Sequence, residues 1–266
     1  MSPDERTGAA GAEARAEALP RDVASVAPIT RAEAVTLART ENARMAALLG
    51  GLAPDDWQRA TDCPAWDVRA LAGHVLGMAE TFSGLRRLAT TMRAGGRRAG
   101  DGPFIDGLTA VQVEQRAHLT TGELVRRMEV AGPAQARWRG RRRLLRMVPM
   151  TEEIDGTPET WRMGYLLDVV LTRDNWMHRV DITRATGRPH ELDAAHDGRI
   201  VADVVAEWAR RHGRPFVLHL SGPAGGSFTQ GGGPDREEIA LDAVEFCRVL
   251  SGRAPGAGLL ATAVPF

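Results

Sequence analysis

Apolar residues at helical spacing organise the chain up to about Thr186. Thr30-Arg31-Ala32-Glu33 has the form of a capping box, in which the threonine and the glutamate three residues on each satisfy a free backbone group. A helix is therefore predicted from there to about Leu49, ended by Gly50-Gly51. After a turn region from Pro54 to Asp62, Asp67 is placed to cap a second helix, in which Leu71, Val75, Met78 and Phe82 form one stripe and which the pattern carries to about Met92. Gly95-Gly96 and the stretch from Gly100 to Pro103 mark a loop. A third helical region spans about Leu108 to Met147, with a break expected near Thr120 to Gly122 or at Gly132-Pro133, because proline interrupts a helix interior. Pro149 to Pro158 reads as a connecting loop. Pro158 then falls in the first turn of a fourth long helix, whose buried face is set by Leu167, Val170 and Leu171. Long helices joined by loops in this way are the pattern of a bundle.

The periodicity changes after Gly187-Arg188-Pro189. Ala195 to Arg211 is helical, with Ile200, Val201, Val204, Val205 and Trp208 on one side, whereas 216–220 and 238–241 read as strands and 242–250 as a final helix. Periodicity leaves the strand order open. Residues 1–28 are small, polar and charged, with too few large apolar groups to offset the entropy of ordering, and are expected to form a flexible tail. The predicted fold class is α+β: the tail, a four-helix bundle over 29–186, and a smaller mixed α/β unit over 187–266.

Two of the apolar stripes contain residues that do not belong in a core. His74 sits among Leu71, Val75 and Met78, and continuing the face of Leu167, Val170 and Leu171 by three or four residues at a time reaches Asp174 and then His178. A carboxylate and an imidazole one turn apart present their polar atoms on the same side of a helix. A buried carboxylate needs a cation or several donors, since leaving it unpaired costs several kcal/mol. His74, Asp174 and His178 together make a three-ligand metal site with an open position, the pattern of catalytic zinc, although mixed N/O ligands also suit nickel or iron. Taken singly, His74 also reads as a hydrogen-bonded core histidine and Asp174/His178 as a pair on a helix surface.

The surrounding residues carry a resemblance. The stretch Thr61-Asp62-Cys63-Pro64-Ala65-Trp66-Asp67 leading to His74, together with Arg173-Asp174-Asn175-Trp176-Met177-His178-Arg179-Val180-Asp181, resembles the two metal elements of the mycothiol-dependent maleylpyruvate isomerase family, within the DinB-like superfamily of four-helix bundles. Leu220 to Gly226 and Glu245 to Arg253 look like that family's smaller C-terminal domain. The resemblance implies a divalent metal, zinc foremost, held by His74, Asp174 and His178, with mycothiol as cosubstrate and Arg253 near the active site. One departure stands out: the family more often has Glu where this chain has Asp174, one methylene shorter. The implied chemistry is addition or transfer of a thiol to an electrophilic or acidic small molecule, or its isomerisation through transient thiol addition. Metal-dependent hydrolysis or lysis, tailoring of a natural product without a thiol, and a binding module without turnover are the alternatives. Arg253 could instead form an interdomain ion pair. Asp181 could orient His178, but a surface pair with an arginine is the favoured reading.

Composition adds a setting. All 34 basic residues are arginine, beside 29 Gly and 15 Pro, as a very GC-rich, actinobacterial type of genome produces. The formal net charge is zero, so the whole chain gives no electrostatic reason for binding nucleic acid or an anionic membrane. The run Arg137 to Arg146 is read as a solvated helix face rather than a nucleic-acid contact. No apolar stretch approaches the roughly 18 residues of a membrane span, and the N-terminus lacks a signal-peptide pattern, so a cytoplasmic monomer or homodimer is expected. Cys63 and Cys247 are expected to be reduced, with Cys63 serving packing in a turn more than reactivity.

Overall fold

The computed structural model describes residues 19–154, 156–234 and 236–266. Helix α1 (Arg31–Gly50) starts at the expected capping box, with Thr30 accepting from the Glu33 N–H and Glu33 accepting from the Thr30 N–H. Asp67 caps α2 (Val68–Thr81) by accepting from the Ala70 N–H at 2.7 Å. The second helix stops short of Met92. The chain turns at Phe82 to Gly84 and restarts as α3 (Leu85–Ala99), which runs through Gly95-Gly96, so that only the segment from Gly100 to Pro103 forms the expected loop. Helices α4 (Phe104–Glu114) and α5 (Thr121–Arg139) divide the third helical region at the first of the two predicted places, where Thr120 and Glu123 form another capping box. Pro133 lies inside α5 without ending it.

Two expectations fail between α5 and the last bundle helix. Pro149 to Pro158 is not a loop: β2 (Pro149–Ile154) and β3 (Thr157–Arg162) form an antiparallel hairpin with Met150 opposite Trp161, and Pro158 lies in its second strand. An edge strand has no neighbour on one side, so it tolerates proline. The fourth helix begins only at a short turn, α6 (Met163–Tyr165), passes through a π-helical turn at 166–170, and continues as α7 (Leu171–Thr186). Gly187 ends α7 in the left-handed conformation that favours glycine. Helices α1, α2, α5 and α7 pack as the bundle, with α4 laid against α2 and α3.

The C-terminal part comprises α8 (Asp197–His212), β4 (Phe216–Ser221), β5 (Gly226–Gln230), β6 (Glu237–Asp242) and α9 (Ala243–Leu250). Its sheet contains one more strand than the alternation of residues suggested in this region, and another from an unexpected source. Arg21–Asp22, here β1, pairs parallel with β5 at the edge of a sheet ordered β1-β5-β4-β6. Val23 and Val26 just beyond it are buried in the same core as Trp176, Val180, Trp208 and Phe246. The expected tail is thus corrected for residues 21–26, whose two valines are enough to seat the segment; its first 18 residues lie outside the described residues. This shared core ties α7 to α8, α9 and the sheet.

Candidate active site between bundle and C-terminal segment

The three inward-facing polar residues converge. One ligand atom from each of His74, Asp174 and His178 can be chosen so that all lie within 4.8 Å of one another. His74 Nε2 is 4.0 Å from one Asp174 oxygen, and His178 Nε2 is 3.2 Å from the other. Both imidazoles are buried, whereas the Asp174 side chain keeps 22% exposure, the opening a ligand needs.

Each imidazole is fixed through its remote nitrogen. His74 Nδ1 meets Gln112 Oε1 of α4 at 2.9 Å, and His178 Nδ1 meets Asp181 Oδ2 at 3.0 Å. Gly77 makes the first contact feasible: a Cβ there would lie 2.6 Å from the Gln112 Cβ, so only glycine lets α4 come this close to α2. The Trp66 ring stacks on His74 at a centroid distance of 4.9 Å, which is what the Cys63-Pro64-Ala65-Trp66 turn contributes.

His178 Nε2 is buried without a hydrogen-bond partner, since its close approach to Asp174 lacks hydrogen-bond alignment. A buried nitrogen aimed at a carboxylate and a second imidazole, with its other nitrogen tied to an acid, fits a metal ligand. The donor set of two imidazoles and one carboxylate fits a first-row divalent ion, and Asp174 reaches despite being shorter than Glu. The acid and the imidazoles are electrostatically coupled: burial would lower His178, but Asp174 outweighs it and raises the ring well above its ordinary value. Burial alone would raise the Asp174 carboxyl, but His178, His74 and Arg253 outweigh it and hold it at about 2. Burial lowers His74 to about 4, against the pull of Asp174, leaving its imidazole neutral near pH 7.

Asp181 does not form the surface pair with an arginine that the sequence favoured. Asp181 is fully buried, where it accepts from Arg253 Nε and Nη2 at 2.7 and 2.8 Å while it meets His178. Arg179 turns to the other side of α7, to Glu41 and Asp197. Glu41, His196 and Asp197 form a second cluster of potential ligands, but the Arg179 guanidinium and the His196 ring satisfy their acids, so this cluster is a bridge between α1, α7 and α8. Its signal, a glutamate on the apolar face of α1, passed unremarked in the sequence. Cys63 Sγ lies 3.6 Å from Asp181 and 3.8 Å from Arg253, behind His178.

The arginine run is not wholly solvated either. Arg139 is buried and donates from Nε to the Leu167 carbonyl and from Nη2 to Thr172 Oγ1, which secures the π-helical turn ahead of Asp174. Arg146 pairs with Asp168 in the same turn. The apolar spacing over 166–170 is compatible with a regular helix, so this turn has no signature in the residue pattern.

Beside the triad lies a cavity of about 560 Å³. Its walls come from α2, α4, the β2–β3 hairpin, the π-helical turn and α7, and it is closed by Leu250 to Arg253 and Ala263 to Phe266 from the C-terminal segment. Arg173 on α7 holds that last segment by donating to the Pro265 carbonyl.

A helical bundle whose facing helices project two histidines and an aspartate beside a cavity is here joined to a small α/β unit, an α+β architecture. A family model described as the mycothiol maleylpyruvate isomerase N-terminal domain matches residues 38–183, more than half of the chain, and the protein belongs to this family of enzymes. The fold is similar to the crystal structure of the mycothiol-dependent maleylpyruvate isomerase, with a TM-score of 0.53 at 16% identity over 85% of this chain and 90% of that one. A point mutant of the same protein matches with a TM-score of 0.52 at the same identity and coverage. No curated protein matches this chain.

Proposed function

We propose that the protein is a metal-dependent, mycothiol-dependent enzyme that isomerises an electrophilic small molecule through transient thiol addition, or transfers the thiol to it. The observation that carries this reading is the convergence of His74, Asp174 and His178 at the edge of the cavity, with His178 Nε2 buried and 3.2 Å from Asp174. His74, Asp174 and His178 would hold the metal, zinc being the first expectation. When bound, the ion supplies Lewis acidity that keeps a thiol ionised near neutral pH.

The chain's own residues supply the rest. Asp181 and Gln112 fix the ring orientations, so the two Nε2 lone pairs are presented at little reorganisation cost. Trp66 and the apolar walls exclude water, which favours attack by sulfur over hydrolysis. Arg253 faces the same cavity with two nitrogens committed to Asp181; its Nη1 has no hydrogen bond among the described residues and remains for one acid group of a substrate. In the isomerisation, a bond from sulfur to an alkene carbon moves the π electron pair onto the adjacent position. Rotation and expulsion of the thiol then return it unchanged. In a transfer, a proton is added instead and the thiol stays. The family supports the thiol, and the site supports the metal.

The test is turnover of an electrophile panel by the metal-loaded protein with mycothiol, without it, and with a simple thiol in its place. Turnover that needs mycothiol is expected. Full turnover without any thiol would assign the site to metal-dependent hydrolysis or lysis.

A further inference from the structure

The composition of the cavity carries an inference about what it takes, resting on the reading above that this cavity receives the electrophile. Its volume of about 560 Å³ lies within the range of sites for drug-sized molecules. Met78, Phe82, Leu108, Met150, Trp161 and Val170 give the wall away from the triad an apolar lining, each from a different turn or strand. Phe104 and Ile105, at the start of α4, extend that wall while remaining 42% and 47% exposed. Large exposed apolar side chains at the edge of a cavity are most simply explained by a ligand that covers them.

The charges point the same way. Besides Asp174, the lining includes Glu152, on the same half-buried face of β2 as Met150 and Ile154. Glu152 is half-buried, and burial raises its carboxyl. Among the described residues Arg253 is the one arginine in the lining, and its Nε and Nη2 are turned to Asp181. A compact diacid such as maleylpyruvate would bring two acid groups to a wall where Arg253 has only Nη1 uncommitted and Glu152 faces inward. Like charges facing each other across a low-dielectric cavity repel.

We propose that the substrate of this site is an electrophile with an extended apolar body and at most one acidic group, seated along the wall formed by α4, the β2–β3 hairpin and the π-helical turn. The acidic group, where there is one, goes to Arg253 Nη1, and the apolar body runs toward Phe104 and Ile105.

The test is calorimetric binding of unreactive probes to the metal-loaded full chain: straight-chain monocarboxylic acids of increasing length, with maleate as the compact diacid. Affinity is expected to rise by about fourfold for each methylene until the cavity is filled, since each buried CH2 contributes about that factor. Maleate is expected to bind more weakly than the longer monoacids. Ile105→Glu, at a half-exposed position that tolerates polarity, should flatten the length dependence, and Phe104→Ala should reduce it. Glu152→Gln should strengthen maleate binding. Affinity independent of length, or maleate binding as tightly as the longest monoacid, would overturn the proposal. Length-dependent binding in a protein without thiol-dependent turnover would preserve it and reject the thiol chemistry. Thiol-dependent turnover of a diacid by a protein that ignores alkyl length would do the reverse.

Discussion

Arg253, from the turn after α9, grips Asp181 of α7 with Nε and Nη2 at 2.7 and 2.8 Å, while the same carboxylate meets His178 Nδ1 at 3.0 Å. One acid therefore links the C-terminal segment to a candidate metal ligand. The Arg253 cation and the His178 ring more than offset the burial that would otherwise raise Asp181, and its carboxyl is lowered.

Asp181→Asn keeps the shape of the side chain but removes the charge that orients His178 and anchors Arg253. Metal affinity should fall by about 10- to 100-fold, as is typical when the partner of a metal-bound histidine is lost. Competition with a chromogenic chelator measures it. Unchanged affinity would make Asp181 only a tether for Arg253.

Gly77→Ala places a methyl group where Gln112 now packs. The helix pair must separate or Gln112 must leave His74, so the variant should lose about 1–3 kcal/mol of stability, the usual cost of overpacking, together with part of its metal affinity. Thermal unfolding and metal titration report the two effects separately.

Much of this arrangement was legible in the sequence. His74, Asp174 and His178 stood out because each broke an apolar stripe, and the structure brings them together. The caps at Thr30 and Asp67 were readable because capping depends on a few adjacent residues. Gln112, which meets His74, was not readable, because it reaches the site from α4 and a lone glutamine has no periodic signature. Arg253 was reached only through the family resemblance, and Asp181 was weighed as the partner of His178 but read as a surface residue. The hairpin was hidden by its prolines and glycine, which at an exposed edge do not forbid a strand. Pairing of Arg21–Asp22 depends on the far strand β5 rather than on local propensity.

Arg139→Met should weaken the π-helical turn, because the Leu167 carbonyl and Thr172 hydroxyl both lose a buried donor. A loss of about 1–3 kcal/mol is expected from the unsatisfied groups. Hydrogen exchange over 163–174 should rise in the variant. Protection equal to wild type there would show that apolar packing alone holds the turn.

Acid should destabilise the bridge between α1, α7 and α8. Burial would raise Glu41 and Asp197, but hydrogen bonds and neighbouring charges, with His196 first for Glu41 and the Asp193 N–H first for Asp197, outweigh it and lower both carboxyls. A carboxyl lowered by folding stabilises above its unfolded pKa, near 4, and that contribution disappears as pH falls through the lower folded value. The melting temperature should accordingly decline below about pH 4. Glu41→Gln should lose roughly 1–3 kcal/mol at neutral pH, because Arg179 loses one of its two carboxylate partners and keeps Asp197, and should show a shallower decline in acid. An identical acid profile in the variant would remove Glu41 from the explanation.

The account rests on one metal centre made by His74, Asp174 and His178. Elemental analysis of the purified protein beside His74→Ala and His178→Ala, each confirmed to be folded, tests it most directly. About one first-row divalent ion per chain is predicted in the wild type, with loss of most of it in either variant, since three ligands leave no reserve when one is removed. Equal metal content in all three proteins would contradict the account.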